Sequence, residues 1–367
     1  PAISSGPHAR SARDQMLLTR RARLTVRVAV AAGVLTISLA GSAARASAAA
    51  PVVLDSAGVS VATYGGWAAW SRSDAATGHY ALVLRSPLGA ISLPAVAESA
   101  SPFDVELGPT GGSGVAAVYS RCANDTTRKG CHIAQLRLGV ARAGERTLAP
   151  PGGGSDHQPA IWDSGLVFLH RNPSGGTRRP DNLLAWNIGS RKLQSLTLPT
   201  SRGAHTGGQT WPKGLTGSIT GLTFNGKQVA YVTANLVGSF GETTLWFEPL
   251  GGHPELIDQE TSGAGNVCQP GFVSPVLTGP WLYAYLHACD PSANPNLDRL
   301  TRYRRGEVER ARYTFIHSGD EGIASIVPDG AGVDWDSSGI ERLATVTWRK
   351  ITAPVAQTFC NRSDPFC

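Results

Sequence analysis

Side chains able to do acid, base or metal chemistry are scattered along this chain, not grouped in a known catalytic signature. Asp156-His157-Gln158-Pro159 offers one imidazole beside a carboxylate, whereas His170, His205, His253, His287 and His317 stand far apart in sequence. Each of those five reads as a surface or hydrogen-bonded histidine. Gly221-Leu222-Thr223-Phe224-Asn225-Gly226-Lys227-Gln228 is one letter from a phosphate-binding loop. Gln228 stands where Ser or Thr would hold magnesium, and the segment reads as strand-turn-strand, so the helix N-terminus that binds phosphate is missing. Neither a Gly-x-Ser-x-Gly elbow nor a His-Glu-x-x-His pair occurs, which removes the usual hydrolase and zinc-protease signals. Any site must therefore be assembled from distant segments by the fold.

A repeat supplies that fold. Gly65–Trp70, Gly114–Tyr119, Gly165–Phe168, Gly226–Tyr231, Gly279–Tyr285 and Gly330–Trp335 each run from a turn into an apolar strand with an aromatic near its end. From Trp70 the steps to Tyr119, Phe168, Tyr231, Tyr285 and Trp335 are 49, 49, 63, 54 and 50 residues. Such a period indicates a propeller or solenoid array. A second extended run follows each aromatic strand, as in Tyr80–Leu84 or His132–Leu136, and often a third, as in Leu193–Leu198. With one strand ahead of the aromatic one, each unit has the four strands of a propeller blade. Helical periodicity is nearly absent outside the first 48 residues, and 43 glycines with 24 prolines suit many tight turns.

The sequence thus predicts an all-β, six-bladed β-propeller of four-stranded antiparallel blades, over residues 49–355. Approximate blades are 52–98, 102–150, 156–199, 217–260, 269–316 and 321–353, with a C-terminal tail over 356–367. Pro51–Asp55 is an isolated strand, and pairing it into the last blade would remove two exposed edges. Removing residues 51–56 should then cost more stability than removing the tail from Ala356.

Innermost strands of a propeller line its channel, so their first polar residues should ring one mouth. These are Asp104 and Glu106, His157, Ser218, Gln269, and Asp320 or Glu321. Two acids converging there would hold a metal ion or act as a general acid-base pair; no other cofactor is predicted. The plainer reading is a hydrated channel lined by polar groups. A second candidate is the insertion 201–217, with His205, Gln209, Trp211 and Lys213 among glycines, because long loops on a rigid scaffold carry binding. The loop Asp290–Asp298 extends the same face.

Two turns make the likeness to a known family specific. Pro328-Asp329-Gly330-Ala331-Gly332-Val333-Asp334-Trp335 and Phe224-Asn225-Gly226-Lys227-Gln228-Val229-Ala230-Tyr231 resemble the Pro-Asp-Gly-Lys-x-Ile-Ala-Phe hairpin of TolB-like six-bladed β-propellers. Asp163–Phe168 is a looser copy. The resemblance spans the chain after residue 48 and implies a toroid with a central channel, of a kind that commonly binds proteins or serves as an accessory module.

Charge gives no case for nucleic acid. The formal +6 is concentrated in residues 1–48, which hold seven arginines and Asp14; without them 26 basic residues face 26 acidic ones. That leader reads as an export signal, with Arg20, Arg21, Arg23 and Arg27 before apolar Val28–Ala40 and then Ala46-Ser47-Ala48. Thirteen helical residues span about 20 Å, short of a ~30 Å hydrocarbon core, so no stable membrane span is expected after cleavage. General and twin-arginine export both fit, and residues 1–15 ahead of Met16 read as an upstream extension.

All six cysteines lie after the leader, as expected of a chain matured in an oxidising space. The repeat pairs Cys122 with Cys131 across a hairpin, Cys268 with Cys289 across the fifth unit, and Cys360 with Cys367 in the tail; free thiols or a metal site are the alternative. Two functions fit this reading. One is an exported, non-enzymatic propeller that binds a protein or cell-envelope polymer through its loop face. The other is a polysaccharide lyase or glycoside hydrolase with its site at the channel mouth.

Overall fold

The structure is a computed structural model, in which residues 48–367 form one of two units. It describes residues 52–124, 127–140, 144–172, 181–199, 205–206, 209–210, 218–237, 240–262, 271–272, 275–287, 299–304, 307–312, 322–326, 333–336, 340–342 and 347–351, all in the second unit. Among the described residues every regular element is a strand, and no helix is long and apolar enough to cross a membrane.

β1 (Val52–Asp55) precedes the first sheet, formed by β2 (Gly58–Tyr64), β3 (Trp67–Ser73), β4 (Tyr80–Arg85) and β5 (Ile91–Ser92). The second sheet is β6 (Glu106–Thr110), β7 (Gly114–Arg121), β8 (His132–Leu138) and β9 (Arg146–Leu148). The third is β10 (Ser155–Trp162), β11 (Gly165–Arg171), β12 (Asn182–Asn187) and β13 (Leu193–Ser195). A small hairpin, β14 (His205–Thr206) and β15 (Gln209–Thr210), precedes the fourth sheet of β16 (Ser218–Phe224), β17 (Gln228–Val237), β18 (Phe240–Pro249) and β19 (Glu255–Ser262). Next come β20 (Gly271–Phe272), β21 (Val276–Thr278), β22 (Trp281–His287), β23 (Arg299–Arg304) and β24 (Glu307–Arg312). The last repeat gives β25 (Gly322–Ile326), β26 (Val333–Asp336) and β27 (Ile340–Arg342), followed by β28 (Thr347–Ile351).

Each sheet is an antiparallel meander that contacts the next in chain order, and β2 of the first packs against β25 and β26 of the last. This is a β-propeller. Five sheets have the four-stranded blade form, not the six expected; the large sheet before the last carries six strands. Two local events account for the difference. Its first strand is broken into β20 and β21, which pair with opposite ends of β22, and β28 adds to the outer edge of β24. Residues 347–351 therefore leave the last repeat, where the sequence assigns them, for its neighbour. β1 takes the outer place in the last sheet, pairing with β27. Two bare edges and two strands with no local partner resolve as one pairing each.

The repeat's aromatics are the core. Trp70, Tyr119, Phe168, Tyr231 and Tyr285 all stand on the second strand of their sheets and are essentially inaccessible. Apolar clusters join the first sheet to the second, the second to the third, the third to the fourth and the fourth to the next. Contact near the axis is tight: a Cβ on Gly108 would lie 2.0 Å from the Ile161 carbonyl oxygen, so only glycine lets β6 and β10 approach this closely.

Candidate functional site

The two ends of the ring differ in chemistry, and the turns explain one of them. Where the first two strands of each sheet meet, Trp162 packs edge-on to Tyr64 with centroids 5.7 Å apart, joining the third sheet to the first. The same indole covers Gly226, whose φ of +87° suits the Asn-Gly turn and whose missing Cβ leaves the space Trp162 fills. The Asp163 amide donates to the Pro109 carbonyl at 2.8 Å. Rings from the non-adjacent sheets one and three thus meet at this end.

At the opposite end a polar network joins sheets two and three. Asp104 accepts from the Ser120 amide at 2.6 Å, the Ser120 hydroxyl at 2.5 Å, Arg128 Nη1 at 3.1 Å and the Gln158 amide at 2.9 Å. Gln158 can reach it because β10 bulges between His157 and Ala160, with a φ of +48° at Gln158 that turns the amide toward the neighbouring sheet. Arg128 sits on the loop closed by the Cys122–Cys131 disulfide, which pairs as expected. Ser155 accepts from the Cys131 amide and donates to the Arg128 carbonyl, so this loop is docked onto the third sheet.

Three further acid–base pairings lie beside it. Arg171 grips Asp181 through two hydrogen bonds of 2.7 and 2.9 Å and donates a third to the Thr127 carbonyl. His157 Nε2 is 3.1 Å from the same carboxylate, while its Nδ1 is buried without a partner. Burial alone would raise the Asp181 carboxyl, but bonds from His157 and Arg171 hold it at about 2. Asp156 meets His170 Nδ1 at 2.7 Å, and His170 Nε2 faces Asn172. Burial pushes the Asp156 carboxyl up, an effect that His170 partly offsets.

Glu106 behaves differently. It opens β6, two residues after Asp104, and is half-buried. Burial pushes its carboxyl up to about 8, against a hydrogen bond from Thr223 of the fourth sheet. It therefore holds its proton near neutral pH.

Of the residues the sequence assigns to the mouth, Asp104 and His157 join this polar cluster on adjacent sheets. Glu106 lies deeper, and Ser218 is exposed at the start of β16. Gln269, Asp320 and Glu321 lie outside the described residues, as do Trp211, Lys213, Cys268, Cys289, Cys360 and Cys367 and the side chains of His205 and Gln209. Sequence reasoning missed Ser120, Arg128, Arg171 and Asp181; the cysteine hairpin was the available hint for Arg128. Among the described residues no group of three His, Cys, Asp or Glu is placed to hold a metal ion.

Replacing both Cys122 and Cys131 with serine should cost about 2.5 kcal/mol, the loop-closure term for a ring of this size. Amide exchange should quicken in the loop and at Gln158, whose acceptor Asp104 loses the support of Arg128. Protection unchanged at Gln158 would mean that the loop holds without the bond.

No protein-family model matches this sequence, and no curated protein matches it either. Solved structures do. The β-propeller domain of the Trilobed protease from Pyrococcus furiosus is 9% identical, with a TM-score of 0.41 over 81% of this chain and 97% of that one. Drosophila Semaphorin 2a is 6% identical, with a TM-score of 0.41 over 78% and 63%. The Pyrococcus horikoshii acylaminoacyl peptidase is 10% identical at a TM-score of 0.34, over 64% of this chain but only 35% of that one.

Proposed function

We propose that this chain is an exported, non-enzymatic propeller that binds a protein or cell-envelope polymer through one end of its ring. The observation that carries the reading is a recurrence. Leu88, Val140, Leu193 and Leu250, exposed by 96, 57, 36 and 36%, occupy the same place in four successive blades, at or beside the turn between the third and outer strands. Those turns share the end that carries Tyr64 and Trp162: Pro87 lies against Gly66, Ile188 bonds to Ser164, and Leu250 bonds to Lys227. An exposed apolar side chain at the same end of each of four blades supports a docking surface there. Ile91 and Leu93, also exposed, extend it at the first blade.

The disulfide is compatible with an extracytoplasmic site, and the arginine-rich leader supports export. The hairpins at Phe224–Tyr231 and Pro328–Trp335 support kinship with TolB-like propellers. A polysaccharide lyase or glycoside hydrolase is the second reading, favoured by the proton held on Glu106. It is the weaker one, because Asp104, which would serve as the second carboxylate, is spent on Ser120, Arg128 and Gln158.

Quantitative capture from cell-envelope fractions with the chain from Ala49 onward tests the reading. The double variant Leu88→Asp with Leu250→Asp should lose at least about tenfold in capture with little change in melting temperature, because both positions are on the surface. Equal capture would move the contact elsewhere. Polysaccharide cleavage that depends on Glu106 would replace the binder with the enzyme.

A further inference from the structure

The two ends of the ring use their cationic side chains differently. At the end with the disulfide-closed loop, Arg72 is paired with Asp55, Arg121 with Glu145, Arg128 with Asp104 and Arg171 with Asp181. At the end with the exposed apolar residues, Arg85, Arg137, Arg191, Lys192 and Lys227 form no ion pair with a described acid. The chain leaves these charges for something else to neutralise.

Each of them stands beside one of the apolar positions. Arg85 ends β4, and its Nη2 is 3.7 Å from where a Cβ on Gly89, the residue after Leu88, would stand. Arg137 is exposed on β8 shortly before Val140, and exposed Arg191 and Lys192 directly precede Leu193. Lys227 is exposed too, and its carbonyl accepts from the Leu250 amide at 2.8 Å. In the next sheet Arg304, exposed at the end of β23, lies over the Trp281 ring at 4.6 Å from its centroid. Trp281 opens β22 just past the turn from β21, so this pair belongs to the same end. Asp163 and Glu255 are the exposed acids there among the described side chains.

We propose that the partner of this end is a protein whose docking segment carries several Asp or Glu side chains among apolar ones. The proposal rests on the reading of this end as a docking surface and names the chemistry of what covers it. Carboxylates complement the unpaired cations and steer the encounter, while the leucines need apolar surface to bury against. A phosphate polymer or an acidic glycan would satisfy the cations and offer the leucines little. Cation and apolar group alternate from blade to blade, so one mixed segment crossing several turns meets both.

Carbodiimide joins a lysine amine to a carboxylate in contact with it, with loss of water, and so tests the pairing directly. The chain from Ala49 onward, treated this way with a cell-envelope fraction, should yield Asp- or Glu-containing peptides of another protein joined to Lys192 or Lys227. None should be joined to Lys129, which is exposed at the opposite end. The double variant Arg191→Glu with Lys227→Glu should bind that protein about tenfold or more slowly at about 20 mM salt. The difference should fade at about 500 mM, where the Debye length has shrunk from about 20 Å to about 4 Å. Both positions are exposed, so the melting temperature should stay within about 2 °C of wild type. If Leu88→Asp with Leu250→Asp loses capture while the charge-reversed variant binds as wild type, the docking surface stands and the acidic partner is wrong. Cross-links confined to Lys129, or capture that survives protease digestion of the fraction, would also overturn it, the latter in favour of a polymer. No capture by wild type would remove the surface and the partner together.

Discussion

Replacing Glu248 with glutamine should stabilise the protein at pH 8 by about 3 kcal/mol and leave it nearly unchanged at pH 4.5. Glu248 is 1% exposed on β18. Its Oε1 accepts from the Thr197 amide of the third blade at 3.3 Å, and Oε2 is buried without a hydrogen bond. The surroundings are the apolar cluster between blades three and four, including Leu196, Val229 and Tyr231. Opposite Val229 in register, Glu248 corresponds to Leu136 in the second blade and Trp186 in the third, both buried and apolar. Burial pushes its carboxyl up to about 7, against the Thr197 bond.

The sign follows from proton binding. Between about 4.5 and 7 the folded state holds a proton that the unfolded chain has released, so stability falls as pH rises through that window and is flat above it. Glutamine keeps the acceptor for Thr197 and removes the ionisation. Melting curves of wild type and variant should therefore converge in mild acid and separate by about 5 °C at pH 8. A variant less stable than wild type at both pH values would mean that the carboxylate is satisfied in solution, for instance by a cation between the blades.

Period and pattern made the blades legible because an aromatic that must fill the gap between sheets recurs wherever a sheet does. Trp70, Tyr119, Phe168, Tyr231 and Tyr285 are buried for that reason. The periodicity could not say which bare edge a late strand would take. Residues 347–351 match either the last sheet or its neighbour, and the choice depends on β1 having occupied the first. The site was less legible still. Asp104 owes its partners to a bulge at Gln158 and to an arginine in a disulfide-closed loop, neither of which has a period. Glu248 resembles an outward polar residue of an alternating strand until the register puts it opposite Val229.

Removing residues 51–56 should lower the melting temperature by more than any single substitution considered above, because β1 serves two sheets. Its backbone supplies the outer edge of the last sheet through Val52–Arg342, Val53–Glu341 and Asp55–Ile340. Its final side chain is anchored in the first. The Asp55 carboxylate accepts from Trp70 Nε1 at 2.7 Å, Arg72 Nε at 2.6 Å and the Ala57 amide at 3.1 Å, and only 7% of it is exposed. Truncation would bare an edge of β27, release the last sheet from the first, and leave the indole donor of the fully buried Trp70 without a partner. Asp55→Ala isolates the second effect and should cost about 3 kcal/mol.

Asp55 also has the opposite pH signature to Glu248. Burial would raise its carboxyl, but bonds from Trp70, Ala57 and Arg72 hold it below the ordinary range. Its contribution is complete above the unfolded value near 4 and is lost as pH falls through the lower folded one. Asp55→Asn should therefore destabilise at pH 7 and approach wild type once the pH falls below that lowered folded value. Cooperative unfolding at one midpoint in wild type, but two separated transitions after truncation, would identify β1 as the closure of the ring. A truncated chain that melts with wild-type cooperativity and within about 2 °C of it would place the closure elsewhere.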